Sequence, residues 1–112
     1  MGERRWTLEA ARALVGDLRA RTERAFQETQ GLLAERALQA PESAELRALD
    51  ARVAAVMERW AREMEALGVE VKGPWLVDFD TGGGYYCWKW PETSVDFFHG
   101  YDEGFAGRTR IQ

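Results

Sequence analysis

The aromatic run at residues 85–90 places the strongest constraint on how this chain can fold. It consists of Tyr-Tyr-Cys-Trp-Lys-Trp, with three consecutive glycines before it and Pro91 after it. Aromatic side chains favour β-strands, and glycine and proline favour the turns that bound them. Such a strand needs a partner surface for its rings. The long apolar surfaces available lie in the first two thirds of the chain, so the two parts are expected to pack together.

The first two thirds of the chain have the pattern of two amphipathic helices. Apolar or small residues recur at spacings of three and four over residues 8–32 and again over residues 46–67, which is the period of a helix buried along one side. Thr7 is placed to cap the first helix. We expect Pro41 to occupy the first position of the second helix and Gly68 to end it in a left-handed conformation. The short connection makes the helices antiparallel neighbours.

The last third of the chain has the pattern of a small sheet. Residues 75–80 and 85–90 predict a β-hairpin closed by the glycine turn, with Trp75, Val77 and Phe79 on one face. Residues 94–99 can supply a third antiparallel strand.

Beyond that strand, residues 100–108 contain too many glycines for a regular element and predict an irregular tail. The expected fold is therefore α+β: a long antiparallel helical hairpin over residues 7–67, then a small three-stranded antiparallel sheet and an irregular C-terminal tail over residues 69–112. The length of 112 residues predicts a single domain over residues 1–112.

Composition and charge exclude several classes of protein. The net charge of −4 argues against a general nucleic-acid-binding protein, which needs a surplus of basic residues on one face. No apolar run approaches the roughly 20 residues that span a bilayer, and the first residues lead into no signal-peptide core, so we expect a cytoplasmic protein without a membrane segment. Cys87 is the only cysteine, which fits a reducing compartment and excludes a zinc site built from cysteines.

The helical hairpin itself predicts self-association. Leu14, Phe26, Leu33 and Leu38 widen the apolar stripe of the first helix beyond what one partner helix covers. A hairpin of this length also projects beyond a compact globule of the same size. The simplest closed solution is a homodimer joined through a four-helix bundle. The alternative is a monomer whose sheet covers the stripe, and we favour the dimer.

The aromatic side chains of the last third outnumber what one face of a three-stranded sheet can bury. Some are expected to pack on the helix ends or the tail, and any exposed remainder would form a surface for a protein partner. The set consists of Trp75, Phe79, Tyr86, Trp88, Trp90, Phe97, Phe98 and Phe105.

His99 is the only histidine and the centre of the one candidate site. Asp96 and Asp102 lie close to it in sequence, and Asp78 and Cys87 lie on strands that could be adjacent. A histidine with two or three carboxylates can hold a divalent metal or act as an acid–base pair near neutral pH. No known metal-ligand spacing is present, so the sequence assigns no metal ligands and no cofactor. The simpler interpretation, which we favour, is that His99 shares a strand face with Val95 and Phe97 and hydrogen-bonds a carboxylate or carbonyl.

Cys87 and Arg108 each have a chemical and a structural interpretation. Cys87 would act as a nucleophile only with a lowered pKa, with His99 as the available imidazole, whereas a lone cysteine among aromatic residues is more often a small buried one. Arg108 can form a bidentate ion pair with Asp102 or Asp78 and so hold the tail in place, or alternatively it can bind an anion. The glycines at 82–84 lack the lysine and helix of a phosphate loop and predict a tight turn.

Several segments together resemble a known family. They are the helix start at residues 6–12, the helix end Leu-Gly-Val-Glu-Val-Lys at 67–72, the strand Leu-Val-Asp-Phe at 76–79, Cys87-Trp88, His99, and the ending Gly-Phe-Ala-Gly-Arg at 104–108. Over nearly the whole chain they resemble an uncharacterised bacterial family known as domain of unknown function 2203. Members more often carry tryptophan where this chain has Phe98. The resemblance implies a small cytosolic protein and supplies no activity, substrate or catalytic residue.

Two hypotheses about function follow from these observations. The leading one is a homodimeric interaction or scaffold protein with a four-helix-bundle interface. The alternative is a small metal-assisted or acid–base enzyme centred on His99 and nearby carboxylates; a DNA-binding role ranks third because acidic residues match the arginines of the helices. The candidate site residues are His99, Asp102, Asp96, Cys87 and Arg108.

Overall fold

The computed structural model describes residues 5–112, which form two helices followed by a five-stranded antiparallel sheet. The fold is α+β, as predicted, with five strands where three were expected. The elements are α1 (Leu8–Arg36), α2 (Ala44–Ala66), β1 (Glu70–Gly73), β2 (Leu76–Asp80), β3 (Tyr85–Lys89), β4 (Phe97–His99) and β5 (Thr109–Arg110), with a 3-10 turn at Phe105–Gly107. The strands lie side by side in chain order, each antiparallel to the next.

The helix starts follow from hydroxyl caps. The Thr7 hydroxyl accepts a hydrogen bond from the backbone N–H of Ala10 at 3.0 Å, which confirms the predicted start of α1. Ser43 caps α2 in the same way, accepting from the N–H of Leu46 at 3.1 Å. The prediction that Pro41 opens α2 was therefore wrong. Pro41 lies in the turn before the cap. The helix begins after Ser43 because the serine hydroxyl accepts a hydrogen bond from a free N–H of the first turn, and proline has no side-chain acceptor for that bond.

The end of α2 closes as its sequence predicts. Gly68 has a φ of +95°, in the left-handed region that favours glycine. Its N–H donates to the carbonyl of Glu65, and the N–H of Val69 donates to the carbonyl of Met64 at 3.3 Å. These two bonds form a Schellman motif, which turns the chain directly into β1.

The two helices pack along the predicted seam. The Trp60 indole N–H donates to the Thr22 hydroxyl at 2.9 Å, and both side chains are buried. This bond joins α2 to α1 where an unpaired polar atom would be costly. The buried residues of α1 are Ala11, Val15, Leu18, Thr22, Ala25, Thr29 and Leu32.

Aromatic rings join the hairpin to the sheet. The Trp75 ring meets Trp60 of α2 edge to face at 5.1 Å and Phe26 of α1 at 6.1 Å, and Trp90 lies 6.0 Å from Phe26. Trp75 itself precedes β2, with a φ of +62°. The sheet therefore covers part of the wide apolar stripe of α1.

The sheet is buried on both faces at its centre. Val77, Phe79 and Trp88 belong to the core shared with the helices. Because successive side chains of a strand point to opposite faces, Asp78 and Cys87 lie on the other face, which we call the outer face. Both are nevertheless buried.

The sequence analysis did not predict β1 and β5, and β4 is shorter than the strand predicted for that part of the chain. β1 carries alternating exposed and half-buried residues directly after the helix stop, and β5 has two residues, so neither shows a long apolar pattern. The strand predicted over 94–99 begins only at Phe97, and Val95 lies in the hydrophobic core instead.

The tail is more ordered than predicted. After β4 it forms the 3-10 turn and then β5, which pairs Thr109 with Phe98 and Arg110 with Phe97. The N–H of Ile111 also donates to the carbonyl of Asp96 at 2.8 Å. The end of the tail is ordered because its backbone groups form hydrogen bonds with the edge of β4. The glycine content of the tail gave no sign of this pairing.

Within residues 5–112, neither helix has the combination of length and apolar character needed to cross a bilayer.

Gly84 offers a test of how the turn before β3 positions β4. A Cβ at this residue would lie 2.5 Å from Cζ of Phe98 and 2.8 Å from the backbone oxygen of His99. We expect Gly84→Ala to lower the free energy of unfolding by about 1–3 kcal/mol through overpacking, measured by urea denaturation. Gly83→Ala is the matched control, because its Cβ would meet no atom within 4 Å. Equal losses in both variants would contradict the steric explanation.

Candidate functional site

Three potential metal ligands meet on the outer face of the sheet. Asp78 of β2 pairs with Cys87 of β3 across the ladder, and His99 ends β4 beside them. One donor atom from each side chain lies within 4.8 Å of the others. The exposed fractions of these residues are 2%, 0% and 3%. We call Asp78, Cys87 and His99 the outer-face cluster.

The hydrogen bonds of His99 define an unusual electrostatic situation. Its Nδ1 lies 2.9 Å from the carbonyl oxygen of Gly100, which can only accept a hydrogen bond. Its Nε2 lies 3.0 Å from Oδ2 of Asp78, also an acceptor when ionised. Both ring nitrogens of His99 thus face acceptor oxygens. A neutral imidazole can donate to one of these oxygens, and a second proton or a metal cation would satisfy the other contact. His99 therefore lies within hydrogen-bonding distance of both a carboxylate and a carbonyl, in line with its structural interpretation. The prediction that it shares a strand face with Val95 was wrong, because Val95 precedes β4 and lies in the hydrophobic core.

Asp78 has an unmet hydrogen-bonding requirement. Within residues 5–112, its Oδ1 is buried and has no hydrogen-bond partner. Its Oδ2 faces His99 and lies 3.8 Å from Nζ of Lys72. Leaving a buried carboxylate oxygen unpaired costs on the order of 1–3 kcal/mol or more. A cation bound at the outer-face cluster would satisfy this oxygen.

Cys87 is a neutral thiol at physiological pH when no cation is bound. Burial raises the pKa of Cys87 to about 12, and the charge of Asp78 acts in the same direction. Arg108 opposes the shift, with its Nη1 3.8 Å from the Cys87 sulfur. The nucleophile interpretation needs a lowered pKa, so the surroundings of Cys87 do not support it.

The outer-face cluster opens into a cleft of about 340 Å³. The cleft is also lined by Lys72 of β1, by Leu76 of β2 and by Glu103, Gly104 and Phe105 of the tail. The glutamate is held in place, because its Oε1 accepts a hydrogen bond from the N–H of Gly100 at 2.7 Å.

Lys72 keeps its positive charge in this cleft. Burial lowers its pKa, but interactions with Tyr85 and Glu70 outweigh burial and raise the pKa above its ordinary value. Its Nζ lies 3.3 Å from Oε1 of Glu70 and 4.1 Å from the centre of the Tyr85 ring.

Arg108 holds the tail over the cleft. Its guanidinium lies between the rings of Phe97 and Phe105, 3.9 and 4.2 Å from their centres. It also pairs with both carboxylate oxygens of Glu92, at 3.2 and 2.5 Å. The predicted partners Asp102 and Asp78 were wrong. The observed partner is Glu92. Its carboxylate is held beside β3, because its Oε1 accepts a hydrogen bond from the backbone N–H of Lys89 at 2.9 Å.

The candidate residues from the sequence divide into two groups. His99 and Cys87 come together in the outer-face cluster, and Arg108 lies beside Cys87. Asp96 instead pairs with Arg12 at 3.5 Å, and Asp102 is exposed; neither lines the cleft. Asp78 was absent from the candidate set. The predicted hairpin had already placed the strands of Asp78 and Cys87 side by side. The step that was missed is that their register, together with the pairing of β4 with β3, brings both residues to His99.

The fold and the site together define a small α+β protein with a helical hairpin and a buried Asp–Cys–His cluster outside its sheet. The chain belongs to the family described as uncharacterized conserved protein (DUF2203), which matches residues 4–111. This confirms the resemblance inferred from the sequence. No curated protein and no solved structure matches the chain. The family description names no activity, so arguments about function rest on the geometry of the site.

The raised pKa of Cys87 predicts slow thiol chemistry in the metal-free protein. The thiolate is the reactive species, so alkylation by iodoacetamide at pH 8 should be about 100-fold or more slower in the native protein than in urea. Because the pKa lies near 12, the native rate should still rise with pH beyond pH 9, where an ordinary thiol levels off. Mass spectrometry of timed samples measures both rates. A native rate equal to that of the unfolded chain would contradict this description of Cys87.

Proposed function

We propose that this protein binds one divalent metal cation through Asp78, Cys87 and His99 and uses it in catalysis on a small molecule bound in the cleft. The observation that carries this proposal is the meeting of three buried donor atoms within 4.8 Å, next to a buried Asp78 oxygen that has no partner among residues 5–112. This is the metal-assisted alternative drawn from the sequence, with Asp78 in place of Asp96 and Asp102.

The donor set favours a metal of intermediate softness. Imidazole, thiolate and carboxylate together suit Zn²⁺ and the related ions Fe²⁺ and Co²⁺ better than Mg²⁺ or Ca²⁺. The Nδ1 contact of His99 with the Gly100 carbonyl leaves Nε2 free as a ligand, which is the usual arrangement behind metal-binding histidines. A cation would also deprotonate Cys87 despite its raised pKa.

Three protein ligands support a catalytic site rather than a structural one. Structural zinc sites use four protein ligands, whereas catalytic sites leave one position for water or substrate. Here that position would face the cleft, since all three ligands line it. Water bound to Zn²⁺ ionises near neutral pH.

Glu103 is the carboxylate in the cleft wall that could accept the proton from this water. The proposed reaction class is hydrolysis. A metal held by Asp78, Cys87 and His99 would supply an activated water for cleavage of a bond to a carbonyl carbon or phosphorus atom, and Glu103 would accept the proton of that water and return it to the leaving group. A thiolate ligand requires Cys87 to stay reduced, which suits the cytoplasmic location expected from the sequence.

Metal titration tests this proposal. Protein stripped with a chelator should bind one Co²⁺ per chain and show absorption in the near ultraviolet from a cobalt–thiolate bond. Cys87→Ser should remove that absorption, and Asp78→Asn and His99→Ala should each weaken Co²⁺ affinity by about 100-fold, because each removes a ligand.

The controls are Asp96→Asn and Asp102→Asn, which change carboxylates outside the cluster and should bind Co²⁺ as the parent does. Circular dichroism checks that each variant is folded. If Asp78 and His99 prove essential for stability, the near-isosteric variant Cys87→Ser still tests the site. Unchanged Co²⁺ affinity in the cluster variants would contradict the proposed site.

A second proposal is the homodimeric interaction or scaffold protein with a four-helix-bundle interface. The longest dimension of the described chain is 48 Å, so the hairpin extends well beyond the aromatic contacts with the sheet. Leu33 and Leu38, near the turn of the hairpin, are 42% and 84% exposed, and a second copy of the hairpin would cover them. Among the described aromatic side chains, Tyr101 and Phe105 are the exposed ones, so a different protein partner would meet the tail.

The dimer proposal predicts a concentration-dependent assembly. The double change Leu33→Glu and Leu38→Glu should convert dimer to monomer, because it places charges in an apolar interface, and light scattering after gel filtration measures the mass. Tyr101→Glu is the control, since it alters an exposed apolar residue near Asp80 at the base of the hairpin. A monomeric parent protein would contradict the proposal.

A further inference from the structure

Lys72 occupies a position that the proposed metal site does not account for. Among the described residues that line the cleft, it is the one cation. Its Nζ lies 3.8 Å from Oδ2 of Asp78, and this same oxygen faces Nε2 of His99 at 3.0 Å. The ammonium group therefore lies immediately beside the place where a bound cation would be coordinated.

The surroundings of Lys72 hold its ammonium group there. Glu70 contacts Nζ at 3.3 Å, and the Tyr85 ring lies 4.1 Å from it. The Tyr85 hydroxyl in turn donates to Oε1 of Glu70 at 3.0 Å. Residues of β1 and β3 therefore both contact the ammonium group of Lys72, although the residue itself is exposed.

Metal binding changes what Lys72 has to neutralise. In the metal-free protein its charge lies 3.3 Å from Glu70 and 3.8 Å from Asp78. A divalent cation at the outer-face cluster would be balanced by the carboxylate of Asp78 and the thiolate of Cys87, so Lys72 would no longer be the cation that faces Asp78. The ammonium group would then be available to an anion that contacts Nζ and places its reacting group beside the open metal position, which stays available to water.

The rest of the cleft limits the size and character of such a ligand. A volume of about 340 Å³ is near the lower end for small-molecule sites. Leu76 and Phe105 present apolar side chains, and Gly104 presents none. Arg108 is not available as a second anion site, because Glu92 and the rings of Phe97 and Phe105 surround its guanidinium.

We infer that the substrate is a small oxyanion, a carboxylate or phosphate with a short apolar body, and that Lys72 is the residue that binds its oxyanion group next to the metal. This inference rests on the proposed metal site and adds the substrate class to it. The apolar body would lie between Leu76 and Phe105.

The test uses the full-length protein loaded with Co²⁺. Inorganic phosphate and, separately, butyrate are titrated while the visible absorption of the cobalt is followed. Both anions are expected to change the spectrum, and Lys72→Met should weaken their binding about tenfold or more while Co²⁺ affinity stays equal or rises. Lys89→Met is the matched control. Lys89 is the only other lysine of the chain, and its Nζ contacts the Pro74 carbonyl outside the cleft.

The outcomes separate the two proposals. Failure of Co²⁺ to bind would overturn both. Binding of Co²⁺ with a spectrum that neither anion alters would overturn the substrate class alone, as would equal anion affinity in Lys72→Met and the parent. The stronger of the two anions identifies a phosphate or a carboxylate as the group that is recognised.

Discussion

The apolar layer between the helical hairpin and the sheet is the constraint on which the rest of the structure depends. Val77, Phe79 and Trp88 fill it from the sheet, and Trp60 fills it from α2. Because side chains alternate along a strand, burying these residues forces Asp78 and Cys87 onto the opposite face. A slip of one residue in the register would move the carboxylate into the core, where burying it without a partner would be far more costly. The packing of the core therefore determines the placement of the site.

The outer-face cluster is buried because the tail folds back over it. Arg108 carries this arrangement, since it contacts Phe97, Phe105 and Glu92 at once. Covering the cluster removes water from Asp78 and Cys87, which strengthens electrostatic interactions and makes an unpaired oxygen costly. A polar cluster buried in this way is poor as a stabilising element. It is well suited to holding a cation, and the opening beside Lys72 gives that cation access to a ligand.

Prediction from the sequence succeeded where the cause is local. The helical seam, the Thr7 cap and the Gly68 closure depend on residues within a few positions of one another, and each was found. Pro41 was misplaced because two helix-start signals compete within three residues. β1 and β5 were missed because short strands on the edge of a sheet owe their existence to a neighbour and carry little pattern of their own. His99 and Cys87 were recognised by residue type, whereas Asp96 and Asp102 were included for their nearness in sequence.

The sequence by itself determined the periodicity of the helices, the turns, the aromatic strand and the chemical types available near His99, because these depend on side-chain preferences over short stretches. The tertiary structure alone decided which of those types meet. The strand register places Asp78 next to Cys87 and His99. The path of the tail places Arg108 where it pairs with Glu92 rather than with Asp102 or Asp78. Both choices depend on contacts between residues distant in the chain, whose free energies are set by the packing of the whole molecule and not by any local pattern.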